Sequence, residues 1–156
     1  MKLIALSFLT TIILFFSLGC GGDASAPAAS SNTPKPKSML ADKPDPMQDK
    51  GVGPVTSVEL GADIDQAMAE KGKTIYAKMC MACHKPTEKF IGPAPKGILG
   101  RRSPEWVMNM ILNPEVMIKE NATAKKLLME FNGSPMANQN LTQEEARAVL
   151  EYFRTL

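Results

Sequence analysis

The sequence lacks any concentration of positive charge. Its 18 basic and 16 acidic residues are interspersed and leave a formal net charge of +2. Nucleic-acid-binding domains carry a clustered basic surface, so nucleic acid is a poor candidate partner. The sequence also lacks strand-type alternation bounded by hairpin turns, which argues against a β-sheet architecture. Its 156 residues suffice for one domain with accessory segments but not for two full domains.

The N-terminal segment has a single charge. Lys2 is followed by an uncharged stretch that runs to Gly22 and contains the apolar run LIALSFLTTIILFFSL. This layout predicts a signal peptide over residues 1–19, and SLGC, which ends at Cys20, resembles the lipobox of bacterial lipoproteins. Cleavage there would leave a lipid on Cys20. The alternative is an uncleaved transmembrane anchor, because about 20 uncharged residues can just span a bilayer. Both interpretations predict export of everything after residue 22.

Aromatic residues are absent from residues 21–58, which hold six of the chain's twelve prolines. Such a composition cannot bury enough apolar surface to fold. We therefore expect residues 20–59 to consist of the lipid-anchor cysteine and a disordered linker. The folded domain is expected over residues 60–156.

Helical periodicity begins near residue 60 and predicts a first helix that ends near Met79. Gly72 lies on the apolar face of this helix, which predicts close approach by another backbone. Three further helices are predicted: one from Ser103 and Pro104 to the interruption at Asn113 and Pro114, one over 122–131, and one that starts at a capping box of Thr142 and Glu145. The expected domain is therefore all-α, with about four helices.

Cysteine and histidine are scarce, yet CMACH places Cys80, Cys83 and the chain's one histidine, His84, within five positions. This is the attachment signature of a c-type haem. Two such thiols reach the two vinyl groups of the porphyrin, and the adjacent imidazole reaches the iron. A thioredoxin-like site would need a βαβ context, a zinc site would need an acidic fourth ligand, and a disulfide would leave His84 without a role. We predict one haem c bound through Cys80 and Cys83.

No second histidine can ligate the other side of the iron, so methionine is the leading candidate for that ligand. Met117 and Met129 lie in helical or helix-flanking patterns, where methionine usually packs in a core. Met136 instead follows the non-helical stretch NGSP. We expect Met136 to be the sixth ligand, with Met129 or Met117 as the alternatives.

Residues 60–156 resemble the class I cytochrome c family, the small monohaem electron carriers. The resemblance is carried by Gly72 and Tyr76, CMACH, IGP at residues 91–93, Met136 and the terminal LTQEEARAVLEYF. It implies that the first and last helices cross at Gly72, with Val149 and Tyr152 at the partner positions. It also implies that the carbonyl of Pro93 accepts a hydrogen bond from the proximal imidazole. The family commonly has proline after the methionine ligand, whereas here Pro135 precedes Met136 and Ala137 follows it. Trp106 is either a partner of a haem propionate or a core tryptophan.

Ligation by His84 and Met136 leaves no open position on the iron, which favours single-electron transfer over catalysis. We therefore expect a monomeric, membrane-tethered cytochrome that faces the periplasm, with a quinol-oxidising complex and a terminal oxidase or reductase as its partners. Five basic residues flank the haem motif and can steer it toward an acidic partner: Lys85, Lys89, Lys96, Arg101 and Arg102. The alternative function is a haem enzyme or gas sensor with an open distal position.

Overall fold

The computed structural model describes residues 45–156 of the chain. The predicted signal peptide, the predicted lipid site at Cys20 and the linker up to residue 44 lie outside the described residues. Within the described range, none of the helices combines the length and the apolar character that crossing a bilayer requires.

Residues 45–156 form five α-helices, one 3₁₀ turn at Ile98–Gly100 and no β-strand. The helices are α1 (Gln66–Met79), α2 (Pro104–Leu112), α3 (Pro114–Glu120), α4 (Ala122–Glu130) and α5 (Gln143–Phe153). The predicted all-α class is confirmed. Sequence analysis missed α3 because it treated Asn113 and Pro114 only as an interruption. Proline is compatible with the first turn of a helix, and Pro114 both follows the end of α2 and begins α3.

Short polar side chains set the starts of four helices by accepting hydrogen bonds from first-turn backbone amides. These caps are Asp65 for α1, Ser103 for α2, Asn121 for α4 and Thr142 for α5. The predicted start at Ser103 is confirmed, and so is the capping box, in which the amide of Glu145 lies 3.2 Å from the Thr142 hydroxyl. Local sequence therefore determines where most helices begin.

Helices α1 and α5 cross at Gly72, as predicted. A Cβ atom at Gly72 would overlap the backbone oxygen of Ala148, so only glycine permits this approach. Four residues after Gly72 on α1, Tyr76 packs against two aromatic rings of α5. Its ring centroid lies 5.3 Å from that of Tyr152 and 5.7 Å from that of Phe153. The crossing buries one face of α5 completely and forms the centre of the core.

Residues 49–58, which we call the N-terminal strap, pack against the helices although we expected a disordered linker up to residue 59. Val55 is 6% exposed and belongs to the core. Its backbone amide and carbonyl both bond to the side chain of Asn109, which is buried in α2. The strap is held by hydrogen bonds to residues more than fifty positions away. Its composition alone gave no sign of these partners.

Glu151 on α5 is fully buried, and its carboxylate accepts hydrogen bonds from Arg147, Arg154 and the amide of Asp65. Arg154 also donates to backbone oxygens of residues 61–63. Burial alone would raise the pKa of Glu151, but these hydrogen bonds and charges outweigh it and hold the pKa below the ordinary value of 4.5. The cluster therefore attaches residues 61–65, which precede α1, to α5.

Candidate haem site

The cysteine motif lies in a tight turn at the end of α1. The amide of Cys80 bonds to the oxygen of Tyr76 at 2.9 Å and ends the helix. The amides of Cys83 and His84 then bond to the oxygen of Cys80 at 3.1 and 2.9 Å. Cys80 is half-buried and Cys83 exposed. The turn therefore gathers both thiols and the imidazole at one end of α1.

Three contacts fix His84. Its Nδ1 donates to the carbonyl oxygen of Pro93 at 2.8 Å, the contact that the family resemblance implies. Gly92 packs against the flat face of the imidazole, where a Cβ atom would lie 2.7 Å from Nδ1 and would overlap Cε1. The buried hydroxyl of Tyr76 donates to the His84 backbone oxygen at 2.8 Å. Because Nδ1 is engaged, Nε2 is the nitrogen available to a metal.

A cleft opens beside the imidazole. Cys80, Cys83, His84 and Met136 all line it, and its other walls are mainly apolar. A second lobe is also lined by Cys80, His84 and Met136 and reaches Trp106 in the core. A concave, mainly apolar surface with a few convergent polar groups is typical of cofactor sites. The structure thus brings together the five residues of the predicted site, since Pro93 lines both lobes as well.

The three methionines considered as iron ligands have different environments. Met117 is fully buried, and its sulfur accepts a hydrogen bond from the amide of Val52 at 3.0 Å. Met129 is 75% exposed and does not line the cleft. Met136 is the one of the three that lines both lobes. Met110 of α2 also lines both lobes and is a further sulfur to test.

Thiol chemistry in the cleft does not favour a zinc site. Burial, followed by the neighbouring Cys83, raises the pKa of the Cys80 thiol to about 11. A thiol must lose its proton to bind a metal, and a raised pKa opposes this. Among residues 45–156, no cluster of three or more histidine, cysteine, aspartate or glutamate side chains is placed to hold a metal ion.

The residues of the cleft do fit a haem. Their apolar walls suit a porphyrin, and His84 Nε2 and the Met136 sulfur suit iron. Near the second lobe, Arg102 stacks over the ring of Trp106 at 5.3 Å, and its buried Nε donor has no acceptor among the described residues. A carboxylate of the cofactor would satisfy such a donor. The indole N–H of Trp106 itself donates to Asn121 at 3.2 Å, which makes Trp106 a core residue.

The family model described as cytochrome c matches residues 69–156. The chain belongs to the cytochrome c family. A solved structure supports the fold: the cytochrome c from Rhodothermus marinus is 44% identical and aligns with a TM-score of 0.64 over 66% of this chain and 88% of that one. Haem c, bound covalently through Cys80 and Cys83, follows from family membership and the CxxCH motif.

Two curated relatives are named cytochrome c2. The protein from Rhodopseudomonas palustris is 26% identical over 112 residues, which cover 56% of this chain and 97% of that protein. The protein from Rhodocyclus tenuis is 29% identical over 89 residues, which cover 56% of this chain and 94% of that protein. Together with the family match, these relatives identify a c-type cytochrome that carries electrons and works with redox partner proteins.

Sequence reasoning missed the roles of Gly92 and of the Tyr76 hydroxyl. The sequence around Gly92 indicates only a turn. The imidazole of His84 comes to lie against Gly92 only when the chain folds, so the contact leaves no local signal. Tyr76 was recognised as part of the family pattern, but its hydroxyl partner is a backbone oxygen, which no sequence motif specifies.

Proposed function

We propose that this cytochrome is a membrane-tethered, extracytoplasmic carrier of single electrons whose haem iron is ligated by His84 and Met136. When bound, the haem supplies an iron centre that changes its charge by one electron. The observation that carries the proposal is the position of His84 and Met136 on the same cleft, with the imidazole already fixed by Pro93 and Gly92. Ligation by both residues would leave no open position on the iron, which favours electron transfer over an open-iron enzyme or gas sensor.

Exposed apolar side chains beside the cleft support a docking role. Met81 and Phe90, which do not line the cleft, are 37% and 52% exposed, although large apolar side chains are usually buried. Lys85 lies over the ring of Phe90 at 5.0 Å, and Lys89 lies over that of Phe131 at 4.3 Å. An apolar surface with basic neighbours suits transient docking to an acidic partner. We propose a quinol-oxidising complex as electron donor and a terminal oxidase or reductase as acceptor.

The tether is proposed from the sequence signal that ends at Cys20. Because residues 49–58 pack against the helices, we propose a tether that ends before residue 49. The unaltered protein should incorporate labelled fatty acid and should lack residues 1–19 by mass, and Cys20→Ser should abolish the labelling. An unlabelled protein whose mass includes residues 1–19 would favour the transmembrane-anchor alternative.

The ligand assignment is tested by absorption spectra of the oxidised holoprotein. We expect six-coordinate low-spin iron with the weak red-edge band of a methionine–iron bond. Met136→Ala should abolish this band, whereas Met110→Ala, a methionine on the same cleft, should retain it. Loss of the band in Met110→Ala alone would transfer the ligand role to Met110. High-spin iron in the unaltered protein would instead support the enzyme or sensor alternative.

The docking surface is tested by the rate at which partner membranes oxidise the reduced cytochrome. Lys85→Glu and Lys89→Glu should slow the reaction at low salt, and the difference should shrink as ionic strength rises and screens the charges. Lys119→Glu on α3, outside the cleft, is the matched charge control. Equal slowing in all three variants would show a net-charge effect and no local docking surface.

A further inference from the structure

We propose that Asp49, in the N-terminal strap, is a positioning residue for the methionine side of the haem site. Sequence analysis placed Asp49 in a disordered linker, and nothing in the family resemblance assigns it a role. The inference rests on the proposed function, because it takes Met136 as the iron ligand. It concerns how firmly the fold holds Met136 in place.

The side chain of Asp49 joins the strap to the start of α4. Its carboxylate accepts hydrogen bonds from Asn121 Nδ2 at 2.9 and 3.0 Å, from the Thr123 hydroxyl at 3.2 Å and from the Gly51 amide at 2.9 Å. Its backbone oxygen accepts a hydrogen bond from the Ser103 hydroxyl at 2.6 Å. Hydrogen bonds to an ionised acceptor are the stronger kind. Asp49 thus fastens the starts of α2 and α4 to one point.

Asn121 carries this attachment into the core. It is 9% exposed, and its Oδ1 accepts from the α4 amide of Ala124 at 3.0 Å and from the Trp106 indole at 3.2 Å. Both of these groups are donors, so the amide oxygen must face them and Nδ2 must face the strap. A hydrogen-bond acceptor at position 49 therefore fixes the cap of α4 and its orientation against Trp106 together.

Helix α4 connects this cap to Met136. It has nine residues, too few to be stable alone, so its position depends on its attachments. Leu127 and Leu128 on α4 line the cleft, and the chain leaves the helix at Phe131 to enter the short loop that carries Met136. The same loop is tied back to α4 by the hydrogen bond from the Gly133 amide to the Leu128 oxygen, at 2.8 Å. Movement of α4 would therefore move Met136 relative to His84.

The adjacent residue provides a control within the same strap. Lys50 forms an exposed ion pair with Glu105 at 3.5 Å, and its Nζ donates to the Thr56 oxygen. Its side chain makes no hydrogen bond to α4. Lys50→Gln therefore removes a charged contact of the strap and leaves the Asp49–Asn121 contact in place.

Imidazole titration of the full-length oxidised holoprotein tests the proposal, because free imidazole competes with methionine for the iron. We expect Asp49→Ala to weaken the red-edge band and to bind imidazole about tenfold more tightly, the effect of losing one hydrogen bond to a charged group. Thr123→Val, which deletes one donor and preserves the side-chain shape, should shift the affinity in the same direction by a smaller factor. Lys50→Gln should bind imidazole as the unaltered protein does.

The outcomes separate positioning from a general loss of stability. If Asp49→Ala and Thr123→Val unfold at lower denaturant concentrations while both keep the imidazole affinity of the unaltered protein, Asp49 is structural and the proposal is wrong. If Asp49→Ala does not fold, the Thr123→Val result decides. Met136→Ala is measured in parallel. If the red-edge band survives in Met136→Ala, the proposed ligation itself is wrong. If Met136→Ala loses the band but the substitutions at positions 49 and 123 have no effect on it or on the imidazole affinity, only the role of Asp49 is wrong.

Discussion

His84 is held by three contacts of different kinds: a hydrogen bond to Pro93, steric contact with Gly92 and a hydrogen bond from Tyr76 to its backbone. The first fixes the ring nitrogen, the second fixes the ring plane, and the third fixes the turn. All three contacts are made by groups of the chain itself, so the chain fixes the imidazole on the proximal side of the site. Single substitutions at Gly92 and Tyr76 perturb the second and third contacts separately.

Gly92→Ala tests the steric contact. The added Cβ atom would lie 2.7 Å from Nδ1 and would overlap Cε1, so the imidazole must move and weaken its bond to Pro93. We expect a loss of about 1–3 kcal/mol in the free energy of unfolding, the usual cost of overpacking, and a shifted reduction potential. Urea denaturation and potential titration of the holoprotein measure the two effects. Gly100→Ala is the control, since a Cβ atom there meets nothing within 4 Å; equal effects at both positions would contradict this explanation.

Tyr76→Phe tests the hydrogen bond to the turn. The substitution removes a buried hydroxyl donor and leaves the His84 oxygen without that partner. We expect a loss of about 1 kcal/mol in the free energy of unfolding, measured by urea denaturation. Tyr152→Phe is the matched control, because Tyr152 packs on the same aromatic cluster but its hydroxyl forms no hydrogen bond within the described residues. An equal or larger loss in Tyr152→Phe would contradict a specific contribution of the hydrogen bond to the His84 oxygen.

At the scale of elements, the features that could be predicted are those that depend on residues close together in the sequence. The cap at Ser103, the capping box at Thr142 and the CMACH turn all depend on contacts within four positions, and each lies where expected. The strap could not be predicted because its partners, such as Asn109, lie about 54 positions away. Its one proline and two glycines are equally compatible with a disordered linker and with an ordered segment that other elements hold.

Gly72→Ala has two opposing effects on stability, one through the helix propensity of α1 and one through the packing of α1 against α5. Helix propensity alone would stabilise α1 by about 1 kcal/mol, but the new Cβ atom would overlap the backbone of α5. Backbone at a helix crossing cannot rotate away as a side chain can, so we expect a net loss of about 3 kcal/mol. Urea denaturation measures it, with Lys73→Ala on the exposed side of α1 as control. A stabilised Gly72→Ala protein would mean that α1 and α5 do not cross closely at this residue.

Glu151→Gln tests the buried cluster that attaches α5 to residues 61–65, which precede α1. Loss of the carboxylate leaves two arginines without their buried partner, which should cost about 3 kcal/mol. Because the pKa of Glu151 is lowered in the folded state, its contribution is present above pH 4.5 and lost as the pH falls below that value. The free energy of unfolding, measured by denaturation at several pH values, should therefore fall less steeply toward acid pH in Glu151→Gln than in the unaltered protein. An unchanged acid slope would assign the pH dependence to other carboxyl groups; Glu144→Gln, exposed on the same helix, is the control.

At the scale of the whole molecule, the haem completes a core that the chain leaves open. The cleft receives Ile118 from α3, Leu127 and Leu128 from α4 and Ile91 from the loop after the cysteine motif. By contrast, the crossing of α1 and α5 buries Ala146 and Leu150, and neither of them lines the cleft. The fold therefore contains one part whose packing is complete in the chain and one part whose packing requires the cofactor.

The chain with both Cys80 and Cys83 replaced by alanine, isolated without haem, tests this division. Each large apolar side chain left facing an open cleft forfeits about 1.5–3 kcal/mol, and several of them together approach the whole stability of a small domain, about 5–15 kcal/mol. We expect amide hydrogen exchange to be fast in α3 and α4, with residual protection confined to the crossing of α1 and α5. Adding Gly72→Ala to this chain should abolish the residual protection, because it separates α1 and α5 at their crossing. Uniform protection across all five helices would instead mean that the polypeptide completes its own core and that haem is added to a finished fold.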